Sequence, residues 1–80
     1  MRLDKYLKVT RIVKRRTIAN ELCDAGKVSV NGKVAKASCE VKEGDVLALK
    51  LAGKEQKFRI SKILEHVPKD IANDLFEVIT

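Results

Sequence analysis

Hydrophobic positions in this chain change period along its length. Leu3, Tyr6 and Leu7, followed by Ile12 and Val13, recur at helical spacing within a basic stretch from Arg2 to Arg16. A second helix is expected from Thr17, read as its N-cap, with Ile18, Ala19, Leu22 and Cys23 on one face and Gly26 at the left-handed position past its end. Beyond Gly26 the period falls to two. Val28-Ser29-Val30 and Lys33-Val34-Ala35 flank Asn31-Gly32, a pair suited to a type I′ turn because both central residues need positive φ. Val28 and Val30 should point inward and Ser29 outward.

The alternation continues downstream. Glu43-Gly44-Asp45 forms a turn before a strand over Val46–Leu51, Ala52-Gly53-Lys54 reverses the chain, and Lys57–Ile60 returns. After Pro68, one helical turn is expected over Lys69–Asn73 and a last strand over Leu75–Ile79. Two helices followed by antiparallel strands argue for an α+β fold with both helices on one side of a small, mainly antiparallel sheet. At 80 residues the chain is expected to be a single domain, 1–80, with a core motif over about 1–50 and a short β-rich tail over 51–80.

Charge divides the chain unequally. Residues 1–36 carry ten Lys/Arg against three acids, a local charge of +7, whereas residues 37–80 carry seven against eight. The N-terminal half therefore supplies the whole net +6 and has the footprint of a polyanion-binding surface. Tyr6, Phe58 and Phe76 are the only aromatic residues, so contacts to a phosphate backbone are expected in place of base stacking.

Other chemistry finds little support. Cys23 and Cys39 are sixteen residues apart with a single distant His66, which makes neither a disulfide framework nor a zinc site, and a reducing compartment is expected. The acids alternate with lysines in turns and show no paired-carboxylate arrangement, so neither enzymatic activity nor a cofactor is expected. There is no apolar stretch of signal-peptide or membrane-spanning kind, and the first helix lacks Trp or Phe anchors for a bilayer surface. A soluble, cytoplasmic monomer that makes no membrane contact is the expectation.

Four spaced motifs, Arg2-Leu3-Asp4-Lys5-Tyr6-Leu7, Lys14-Arg15-Arg16-Thr17, Ala25-Gly26-Lys27-Val28 and Val30-Asn31-Gly32-Lys33, closely resemble the RNA-binding domain named after ribosomal protein S-four, whose helix–helix–hairpin unit is called the alpha-L motif. The opening Met1–Val9 and the short β-rich tail are similar to the small stand-alone RqcP family, relatives of the fifteen-kilodalton ribosome-binding heat-shock protein. The heat-shock relative carries a longer basic extension, whereas this sequence stops at Thr80.

The resemblance implies a factor of ribosome-associated quality control. Such a protein binds rRNA of the large ribosomal subunit and tRNA on stalled particles that still carry a nascent chain, and supports alanine tailing by an RqcH-type factor. The alternative is an rRNA-binding assembly or translation factor with no part in tailing. The implied RNA face comprises Arg2, Asp4, Lys5, Lys8, Arg11, Arg15, Arg16 and Thr17 from the helical part, with Lys27, Asn31, Gly32 and Lys33 from the turn and hairpin. Asp4 cannot bind phosphate, and is expected either to orient a neighbouring arginine or to accept from a ribose 2′-hydroxyl. Arg2 and Arg16 lie off the apolar stripe and are expected to be dispensable for folding. Lys57, in the near-neutral half, is expected to be inert.

Overall fold

Strict alternation along Val46–Leu51 has a direct structural counterpart: Leu47 and Leu49 are fully buried, while Val46 and Ala48 are half-buried on the other face. The computed structural model describes residues 1–79, so Thr80, the last residue of the expected domain, lies outside them. Five strands, β1 (Val28–Val30), β2 (Lys33–Val34), β3 (Val46–Leu51), β4 (Lys54–Ile60) and β5 (Phe76–Val78), form one antiparallel sheet in the order β2-β1-β3-β4-β5. Helices α1 (Leu3–Val9) and α2 (Arg16–Asp24) precede it, and a 3-10 helix over Lys69–Leu75 leads into β5. The fold is α+β, as the segregation of helices and strands implied.

The core lies between the helices and one face of the sheet. Leu3, Tyr6 and Leu7 of α1 and Ala19 and Cys23 of α2 are buried in one cluster with Val28, Leu47, Leu49, Phe58 and Ile60 of the strands. Tyr6 reaches furthest, donating its hydroxyl hydrogen to the Leu75 carbonyl at 2.8 Å, and burial pushes its phenol pKa well above the usual value. The same carbonyl accepts the amide hydrogens of Ser61 and Lys62, which fastens the tail to α1.

Two helix ends and one helix face depart from expectation. The basic stretch is not helical to Arg16. Thr10 caps α1, its hydroxyl donates back to the Tyr6 carbonyl at 2.7 Å, and Arg11 turns the chain at φ +62°. Thr17 is not the N-cap either: α2 begins at Arg16 with Arg15 as cap, which makes no side-chain capping bond. Ile18, assigned to the buried stripe, is 42% exposed because Ala19 and Cys23 define the inward direction of α2.

The C-terminal end of α2 matches its reading. Gly26, at φ +72°, donates to the Cys23 carbonyl while Lys27 donates to that of Leu22, the paired bonds of a Schellman motif.

The tail is more regular than its sequence suggested. Ala52-Gly53 is itself a two-residue turn with φ of +51° and +77°, so β4 begins at Lys54, three residues ahead of the expected strand. The 3-10 helix runs on to Leu75, and β5 starts one residue later than expected, with Phe76 edge-on to Phe58 at 5.4 Å.

Candidate nucleic-acid interface

At the start of α1 and the start of α2 the backbone brings two arginines to one carboxylate. Asp4 is 1% exposed, and its oxygens accept from six donors. Arg2 approaches through Nε and Nη2 at 3.2 and 3.3 Å, and Arg16 through Nε at 3.2 Å and Nη2 at 3.5 Å. The Lys5 backbone amide donates at 2.8 Å and Asn20 Nδ2 at 3.2 Å. Burial alone would raise the Asp4 pKa. The Arg16 hydrogen bond, the Lys5 amide and the charges of Arg16 and Arg2 outweigh it and hold the carboxyl below its ordinary value of 3.8.

Each guanidinium turns only one edge to Asp4, and both arginine side chains remain 48% exposed. The cluster therefore carries a surplus positive charge with its remaining N–H donors facing solvent, a geometry matched to phosphate oxygens. Arg2, Asp4, Arg16, Thr17, Asn20, Glu21 and Asp24 line an open cleft of about 540 Å³. Of the two roles read for Asp4, the orienting one agrees with this geometry, because a buried carboxylate whose oxygens already accept from six internal donors leaves no free acceptor site for a ribose hydroxyl.

The expectation that Arg2 and Arg16 are dispensable for folding is corrected here: both compensate a buried charge. Sequence reasoning also missed Asn20. It lies four residues after Arg16 on the same face of α2, a periodicity that was available to find it.

The remaining candidates are spread more widely. Lys5 is drawn to Glu65 of the tail at 2.6 Å and holds that carboxyl below its ordinary value. Lys8, Arg11 and Arg15 are exposed around the turn between the helices. Lys27, Gly32 and Lys33 are exposed at the hairpin. Asn31 is committed to the fold: its Nδ2 donates to Asp45 Oδ1 at 3.1 Å, and its Oδ1 accepts the Val46 amide hydrogen at 3.0 Å. The side chain locks the hairpin turn onto the start of β3.

Cys23 is buried on α2, and burial, followed by the nearby acids, pushes its thiol up to about 11, so it behaves as a small core residue. Among the described residues no cluster of His, Cys, Asp or Glu could hold a metal ion, and no helix is long and apolar enough to cross a membrane.

Residues 1–47 match the S4 domain. A protein of Halalkalibacterium halodurans named RQC P-site tRNA stabilizing factor is 50% identical over 78 residues, spanning 98% of this chain and 89% of that one. Among solved structures, the trimeric Heat Shock Protein 15 of Vibrio cholerae superposes with a TM-score of 0.89 at 33% identity, over 98% of this chain and 80% of its own. The solution structure of the hypothetical protein HP1423 gives 0.85 at 38% identity, over 100% and 98%.

Proposed function

The chain belongs to the S4 domain family, in the group of the RQC P-site tRNA stabilizing factors, and from that premise we propose that it is a non-enzymatic RNA-binding factor of ribosome-associated quality control. It binds rRNA and tRNA on large ribosomal subunits that carry a stalled nascent chain, and by keeping that tRNA in place it supports alanine tailing by an RqcH-type factor. The single observation that carries this reading is the pair of half-exposed guanidiniums fixed by the buried Asp4 carboxylate. Fixing them in advance lowers the ordering cost of phosphate binding.

Lys8, Arg11, Arg15, Lys27 and Lys33 extend the field around this anchor. Thr17 and Gly32 offer small polar surfaces for close backbone approach, and Lys5 joins when Glu65 releases it. Asn31 contributes through the shape of the hairpin. Arg2, Asp4 and Arg16 all come from one chain, so a single copy completes this anchor.

Association of the purified protein with large subunits tests this reading as a function of salt. If roughly five phosphates are neutralised, log K falls against log salt with a slope of about −3.5 to −4.5. A slope near zero contradicts it.

A further inference from the structure

The hairpin cations do not share the arginine cleft. Register carries the side of the sheet turned away from the helices across four strands: Val34 stands beside Ser29, Ser29 beside Ala48, and Ala48 beside Lys57. The small side chains of Ser29 and Ala48 leave the middle low. The result is a trough of about 550 Å³ that Gly32 and Lys50 also border.

Cations edge this trough. Lys50 on β3 and Lys57 on β4 both line it and are exposed. Glu55 faces Lys50 from β4, whereas Lys57 is exposed and has no salt bridge among the described residues. None of these lysines takes part in the Asp4 network, whose residues all belong to the two helices and their approach.

We propose that the open sheet face, through Lys50 and Lys57, is a second RNA-binding surface that grips the tRNA backbone while the arginine cleft holds the subunit's rRNA. This rests on the reading of the chain as a tRNA-stabilising factor, and it adds a division of labour. A protein that keeps one RNA on another has to contact both at once.

The division follows from side-chain chemistry. Two guanidiniums set by one carboxylate present a fixed pattern of donors, suited to an rRNA site that is the same on every particle. Lysines are flexible point charges that engage phosphate whatever the sequence, and a stalled particle can hold any tRNA. Lys57, expected from the sequence to be inert, acquires a role because antiparallel pairing carries it to the same sheet face as the hairpin, with β3 between them.

The test uses large subunits, labelled tRNA and the full chain, with Lys50→Gln/Lys57→Gln and the single Lys57→Glu as variants. Wild type slows tRNA dissociation; if it does not, the functional reading fails and the proposal falls with it. The double variant is expected to bind tRNA-free subunits within twofold of wild type yet to let tRNA leave at least about fivefold faster. Lys57→Glu, placed opposite Ala48 where it meets no acid across the strand, should fold like wild type and accelerate release in the same direction. Unchanged release with either folded variant overturns the proposal. So does a parallel loss of tRNA-free subunit binding, which would mean that the sheet face touches rRNA. A defect confined to cell extract and absent from the purified system would mark an acidic protein partner and likewise overturn it.

Discussion

Arg16 Nε lies 3.2 Å from Oδ2 of Asp4, a contact between two helix starts twelve residues apart that joins the surface charge of the cleft to a buried carboxylate. Stability and binding are therefore coupled in this cleft. Arg16→Ala leaves Asp4 with Arg2, Asn20 and the Lys5 amide, and should destabilise by about 1–2 kcal/mol. Asp4→Ala, which leaves two guanidiniums facing each other around a small void, should cost about 2–3 kcal/mol. Chemical denaturation of both variants checks the order: Asp4→Ala should be the less stable.

The same network fixes an acid limit. The folded Asp4 carboxyl titrates below 3.8, so the stability it contributes is complete above about pH 4 and is lost as pH falls through the lower folded value. Melting temperature measured downward from pH 6 should fall in that window more steeply for the wild type than for Asp4→Asn. Parallel curves would remove Asp4 from the acid response.

Turn conformations give a third expectation. A Cβ at Gly26 would meet only Val34 Cγ1, at 4.0 Å, so Gly26→Val suffers from its φ of +72° in addition to its β-branch, and should lose at least about 1 kcal/mol. Ala52 already bears a positive φ, and Ala52→Gly should gain about 0.5 kcal/mol. Thermal melts of the two variants should shift in opposite directions.

Asn31→Ala separates turn from contact. It removes both hydrogen bonds to the start of β3 and leaves Asp45, 7% exposed, with the Lys42 amide as its remaining side-chain partner. A loss of about 1–2 kcal/mol is expected. Subunit affinity of the folded variant should stay close to wild type, and a large drop would assign Asn31 a direct contact.

Local chemistry made much of this legible in the sequence. Gly26, Asn31-Gly32 and the Val46–Leu51 alternation announce a helix stop, a turn and a strand from their own residues, and the structure has each of them. The helix starts were harder: Thr17 has the chemistry of a cap, yet the cap of α2 is Arg15, two residues earlier, and Ala19 and Cys23 face the core. The Asp4 cluster was legible only as a set of family positions. Its geometry depends on α1 and α2 meeting, and no spacing along one helix encodes that meeting. Likewise Lys57 shares a sheet face with the hairpin only through the pairing of β1, β3 and β4.

Asp4→Asn measures the claim that Asp4 acts by holding the two arginines. The substitution removes a negative charge and raises the formal net charge from +6 to +7, so a surface working by charge alone should bind large subunits more tightly. If the carboxylate positions Arg2 and Arg16, the folded variant should bind about 5- to 50-fold more weakly at fixed salt, a loss of about 1–2.3 kcal/mol. Equal or tighter binding by a folded Asp4→Asn protein would contradict the account.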